Sequence, residues 1–273
     1  MASDTLFVPR RTGGVTAYFV GENAAITESQ KSWDRVGLSV KKLAVLTKYS
    51  SELGEDAVIS LGDDLAGEIS YAFAEKEDRC GFLGDGTSTY GGITGLGPAL
   101  SALSGTVANI AGLVEAAGNT FAEITLANLN TLKARLPQYA SGPSVKWYTH
   151  KTFFHDVMER LMLAAGGVTE AGIMAGGQPR FLGAPVEFSQ VLPATDANSQ
   201  IVAFYGDIRL AAMMGDRRQT TIAMSEHLNF AEDELAVRGT ERFDIVCHDV
   251  GNASATAASR VPGPIVALIM AAA

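Results

Sequence analysis

A chain of 273 residues with 47% hydrophobic and 19% charged residues has enough apolar material for one large globular unit or two closely joined ones, which excludes a fibrous or disordered protein. The formal net charge of -9 and a pI near 5.0 are opposite in sign to the basic footprint that grips phosphate backbones, which argues against specific nucleic-acid binding. With 29 Gly against 9 Pro, the loops take their shape from glycine freedom more than from rigid proline turns.

Cys80 and Cys247 stand far apart, with no Cys or His at metal-ligand spacing except the adjacent His248. They read as reduced core thiols of a cytosolic protein. The opening MASDTLFVPRRTGG lacks the apolar run of a signal peptide, and no stretch reaches the ~20 apolar residues of a membrane span. The apolar run 264–273 is too short for that and reads as a buried strand.

From residue 15 the chain splits into two β-prone arms, VTAYFVGENAAITES and DRVGLSVKKLAVLTKY, joined at a polar tip of Gln30, Lys31 and Ser32. This predicts a long hairpin over 15–48. Val36, Leu38, Val40, Leu43 and Val45 recur with a period near two, so one face is apolar and needs cover, because a two-stranded ribbon is marginal alone. Over 56–83, Leu61, Leu65, Ile69, Ala72, Phe73, Cys80 and Leu83 recur at helical spacing. Glu52, Glu55, Asp56, Asp63 and Asp64 crowd the start of this helix, and Gly81 and Gly84 stand near its end. It would be a rod of about 40 Å at ~1.5 Å per residue.

GDGTSTYGGITGLG, residues 84–97, is a turn-rich loop without the Lys-Ser/Thr of a phosphate-binding loop or a complete dinucleotide fingerprint. A second helix is predicted over 120–136, with Phe121, Ile124, Leu129, Leu132 and Leu136 inward and Pro137 ending it. VKWYTH reads as a strand, Thr149 as a cap, and 151–164 as a helix with Phe154, Val157, Met158 and Leu161 on one face. Short strands follow in FLGAPVEFSQ, IVAFYGDIRLAAMMGDRRQTTIAMSEH, LAVRGTERFDIVCHDV and PIVALIMAA, with 253–260 as a surface loop. Helices and strands mix without a βαβ rhythm or internal repeat, so the fold class is α+β.

In this order, KLAVLTKYSSELGED, DRCGFLGDGTSTYGGITGL, VKWYTHKTFFHDVMERL, FLGAPVEFSQVLPA, YGDIRLAAMMGDRR and LAVRGTERFDIVCHDVG resemble segments of the major capsid proteins of tailed bacteriophages of the Hong Kong 97 type. The resemblance covers about residues 13–273. It implies an N-terminal arm (1–14), an extended β-hairpin loop (15–48), a peripheral domain (49–100 and 230–255) with a spine helix over 56–83, and an axial domain (101–229 and 256–273). The implied function is self-assembly into pentamers and hexamers of an icosahedral shell around double-stranded DNA. Assembly would take place in the host bacterial cytoplasm, with portal, scaffolding and decoration proteins as partners and with no catalytic residue, cofactor, metal or membrane. An acidic wall suits this role, since it repels the packed DNA and leaves it mobile.

Members often carry an N-terminal scaffolding region that is removed on maturation, whereas here about 14 residues precede the hairpin. Some members also weld subunits through a Lys to Asn bond. Lys31 and Asn252 supply those two chemical types, but nothing in the sequence places the acidic neighbour such a bond needs.

The candidate inter-subunit contacts are Trp33 as an aromatic anchor, Lys31 beside it, and Val36, Leu38 and Val40 laid on a neighbour. Arg217, Arg218, Arg238 and Arg242 are expected to reach carboxylates such as Glu55, Asp56, Asp63 or Asp85. An encapsulin-like nanocompartment shell is the alternative within the fold. An enzyme built on His150, His155, His227 or His248 is the alternative outside it, although no HExxH, GxSxG or CxxC motif is present.

Overall fold

The computed structural model describes residues 1, 3–11, 14–56, 61–103, 105–166, 178–229 and 233–272. The first part of the chain forms β1 (Thr5–Arg11), β2 (Trp33–Ser39), β3 (Lys41–Ser50), α1 (Ser51–Asp56), α2 (Leu61–Leu83), α3 (Leu96–Ser101) and β4 (Leu113–Glu115). Then come α4 (Leu126–Arg135), β5 (Lys146–Thr149) and the helix α5, built from Lys151–Phe153, Phe154–Glu159 in π geometry and Arg160–Ala164. The last part adds β6 (Arg180–Phe181), β7 (Ala184–Phe188), β8 (Ile201–Gly206), the short helix α6 (Ile208–Ala211), β9 (Ala212–Asn229), β10 (Glu234–Cys247) and β11 (Ile265–Ile269).

The strands make three sheets: a β1-β2 ribbon, a sheet ordered β3-β10-β9, and a six-stranded sheet ordered β4-β11-β8-β5-β7-β6. Antiparallel pairing dominates, with parallel pairs only at β4-β11 and β5-β7 among the described strands. This is the expected α+β class.

The six-stranded sheet carries core on both faces. Val202, Val266 and Leu268 pack with Leu129 and Leu132 of α4 and Phe153, Val157 and Met158 of α5. Phe204, Ile265 and Ala267 point the other way, against Leu96 and Leu100 of α3 and Phe82 of α2. Burial on both faces explains why IVALI of β11 is apolar at every position, as the 264–273 reading expected. Trp147 lies at the centre, 0% exposed, with its indole N–H donating to the Phe181 carbonyl at 3.0 Å and its ring 4.3 Å from that of Tyr205.

Helix α2 packs along β3 and β10 through Ile69 and Phe73, which meet Val237, Leu43, Val45 and Tyr49. Further on, Cys80 joins Ile93 and Phe243. The exposure pattern of β3, half-buried at Leu43, Val45, Thr47 and Tyr49, follows the alternation in its sequence.

Several expectations need correction. The arms of the ribbon are β1 and β2, paired from Thr5 with Ser39 to Arg11 with Trp33, and not 15–29 with 34–49. Residues 14–32 contain no strand, and β3 pairs instead with β10. Asp244 separates the two pairings: its buried carboxylate accepts the Ser39 N–H at 2.6 Å, where the chain passes from one sheet to the next. The strand β9, grouped with the axial domain by the resemblance, pairs along β10 in the three-stranded sheet.

The helix expected over 56–83 is described from Leu61; residues 57–60 lie outside the described residues. The helix expected over 120–136 is two pieces, a 3-10 turn Phe121–Glu123 and α4, because Thr120 with Glu123 and Thr125 with Asn128 form successive capping boxes. Thr149 does not cap α5. Its hydroxyl is buried on the Val202 carbonyl at 3.2 Å, and the His150 ring accepts the Thr152 N–H instead.

Candidate subunit interface

The ribbon is anchored on its own chain. Asp4, just before β1, accepts from Arg217 Nε at 2.9 Å and from Arg242 Nη2 at 3.1 Å, so one carboxylate ties the start of the ribbon to β9 and β10. Its carbonyl accepts the Val40 N–H at 3.0 Å. Arg10 bonds Asp34 across the ribbon at 3.0 Å and also donates to the His248 carbonyl. Leu38 lies against Gly215 of β9, where a Cβ would stand 3.2 Å from Leu38 Cδ1.

Beyond this anchor, residues 14–32 project with almost every side chain in solvent. Phe19 is fully exposed and Ile26 85% exposed, and Val15, Tyr18 and Val20 join them. Within the segment, the Gly21 carbonyl accepts from Ala24 N–H, Thr16 N–H donates to the Ser29 hydroxyl, and the Gln30 amide donates to Glu28. An exposed, contiguous set of large apolar side chains marks a surface that binds something.

At the foot of this loop Trp33 is 58% exposed, and the Lys31 ammonium lies 3.9 Å from the centre of its ring. The two anchor candidates are therefore one unit. Val36 and Leu38 are different: at 8% and 1% exposure they are already covered within the chain, which corrects their assignment to a neighbour's surface. Val40 is half-buried.

The arginine expectation also changes. Arg217 and Arg242 are used on Asp4, and exposed Arg218 donates to the Thr221 hydroxyl at 3.2 Å. Arg238 is exposed and has no ion-pair partner among the described residues. Asp63 is exposed in the first turn of α2, and Asp85 is held by the Thr87 hydroxyl and N–H, which lower its pKa. The side chains of Glu55 and Asp56 lie outside the described residues. Asn252 is committed locally, its amide donating to the Ser259 carbonyl and accepting from Val261 N–H, so it is not presented as a partner for Lys31.

Sequence reading missed Asp4, because an isolated acidic residue in a terminal arm carries no periodic signal. It took the β-prone residues of 15–29 for a hairpin arm. The histidines stay dispersed: His150 caps α5, His155 pairs with Glu159 one turn on, His227 is exposed, and burial lowers the pKa of His248. Among the described residues no three His, Cys, Asp or Glu side chains are placed to hold a metal, and no helix is long and apolar enough to cross a membrane. Both cysteines are free thiols, and burial pushes them up, Cys247 to about 12. Reactive thiolates are thereby disfavoured.

The sequence profile of the phage capsid family matches residues 1–251. The chain belongs to the phage capsid family. Solved structures agree in fold with this capsid-family chain. One from Mycobacterium phage Adephagia is 19% identical with a TM-score of 0.71, covering 100% of this chain and 87% of the other. The capsid of a native GTA particle computed with C5 symmetry is 19% identical with a TM-score of 0.74, covering 100% and 86%. A chain of Mycobacterium phage Bobi is 21% identical with a TM-score of 0.71, covering 100% and 87%. No curated protein sequence matches significantly. Capsid proteins work as structural elements of viral shells, so contact surfaces are the parts of this chain with functional meaning.

Proposed function

We propose that this chain is the major shell subunit of a tailed-phage head and closes into hexamers and pentamers of an icosahedral wall around double-stranded DNA. The supporting observation, beside family membership, is the projecting segment 14–32, whose Phe19 and Ile26 find no cover on their own chain. A head-to-tail contact repeated around an axis closes into rings, and burying this segment on the next copy supplies such a contact. Trp33 with Lys31 stands at its rim as the anchor, and Arg238 remains available for a carboxylate of a neighbour.

In this reading α2 is the spine, and with β3, β9 and β10 it forms the peripheral domain. The six-stranded sheet is the axial domain. The net charge of -9 keeps enclosed DNA from adsorbing. Assembly in the host cytoplasm, with portal, scaffolding and decoration proteins as partners, completes the virion.

Native mass spectrometry and negative-stain microscopy of the purified chain over a concentration series test the proposal. Rings of five or six subunits or closed shells are expected. A monomer at every concentration reached overturns it.

A further inference from the structure

The seam between α2 and β10 is apolar on both sides of one exception. Ile69 and Phe73 lie against Val237 and the bare backbone of Gly239, and Cys80 lies against Phe243. Helical spacing puts Glu77 on the same face, between Phe73 and Cys80, and strand alternation puts Glu241 between Gly239 and Phe243. Glu241 is only 6% exposed and Glu77 is half-buried, so the seam brings two carboxyl groups together. A carboxyl pair at this place is paradoxical if both members are charged, because like charges in a desolvated seam repel.

The surroundings add no neutralising partner in direct contact. From β9 come Asp216 and Thr220, whose hydroxyl donates to Glu241 Oε2 at 3.1 Å. From α2 comes Asp78, and from β3 the residue opposite Glu241 is Leu43. The nearby cations are used elsewhere: Lys76 over the Tyr90 ring, Arg79 on Glu75, Arg217 and Arg242 on Asp4. Arg209 of α6 lines the cavity beside Glu77 and Asp78.

We propose that the Glu77 carboxyl keeps its proton and donates it to Glu241, forming a pH-operated latch between α2 and the three-stranded sheet that opens when the proton leaves. Desolvation first, then the neighbouring carboxyl groups of Glu241, Asp216 and Asp78, raise the Glu77 carboxyl from the ordinary glutamate range to about 8. The sign follows from linkage. A carboxyl that binds its proton more tightly when folded contributes stability that is fully present below its ordinary value of 4.5 and is lost as pH rises through about 8.

The latch sits in the C-terminal third of α2, a helix that joins two sheets. Just over a turn beyond Glu77 the Phe82 ring is 5.5 Å from that of Phe204 in the six-stranded sheet, so freeing the Glu77 stretch lets the rest of α2 tilt about the end that stays packed. This inference goes beyond the shell reading, and its test reads the single chain.

The test is thermal unfolding of the purified chain from about pH 6 to about pH 10, for the wild type, Glu77→Gln and Glu241→Gln. The wild-type midpoint should fall through about pH 8, and either variant should flatten that fall, with the variant-minus-wild-type difference inflecting there. Every other titrating group, including the four histidines, is common to all three proteins and cancels in the difference. Parallel curves overturn the latch. If neither variant folds, hydrogen exchange of the wild-type α2 amides decides: protection near Glu77 that drops between pH 7 and 9, after correction for intrinsic rates, supports it, and unchanged protection sinks it.

Discussion

The Cβ that Gly239 lacks would lie 2.6 Å from Cγ2 of Ile69. Val45 Cγ1 and Phe73 Cζ would stand at 3.0 and 3.2 Å, so a hydrogen at this one position of β10 lets α2 settle onto the sheet. Gly239→Ala should overpack the seam and destabilise the chain by about 1–3 kcal/mol. Urea unfolding checks this through a lower midpoint at constant slope; an unchanged midpoint would show that the helix can lift at no cost.

Trp33 and Leu38 lie on the same strand but should answer to different assays. Leu38 is 1% exposed, so Leu38→Ala should cost about 2–5 kcal/mol of single-chain stability. Trp33 is 58% exposed, so Trp33→Ala should leave unfolding within about 0.5 kcal/mol of wild type. If Trp33 anchors a neighbour, its loss should raise the concentration needed for assembly at least ~10-fold, equivalent to about 1.4 kcal/mol per contact. Light scattering against concentration measures it.

The projecting segment makes a parallel case. Replacing Phe19 and Ile26 together by Ser should leave the thermal midpoint of the single chain unaltered, since neither side chain packs on its own body. Assembly should be abolished or strongly weakened. Normal shells from the double variant would show that some other surface drives association.

Asp4 serves two guanidinium groups but is itself 63% exposed, which limits its energetic weight. Asp4→Asn should therefore lower global stability by no more than about 1 kcal/mol. The local effect should be larger than the global one. Amide exchange within Thr5–Arg11 should accelerate while exchange in β11 stays constant, and equal protection of both would dismiss the anchoring role.

How much of this could be read from residues alone differs from element to element. The stripe Ile69, Phe73, Cys80 announced α2, and the apolar run IVALI announced a buried strand. Each signal is local, produced by a few neighbours sharing one environment. Pairing was less legible. The β-prone residues of 15–29 read as a strand, yet β2 is satisfied by Thr5–Arg11, and Lys41–Ser50 finds its partner near the other end of the chain.

Local order in the chain thus determined the helices, the twofold alternation of β3 and the class of fold. Tertiary contacts alone decided that Val36 and Leu38 are covered by their own chain while Phe19 is not, that Arg217 and Arg242 meet at Asp4, and that Glu77 faces Glu241. The reason is physical. Periodicity records which face of a segment avoids water, but a strand edge offers the same donors and acceptors to any partner, so what lies against that face depends on which distant segments compete for it.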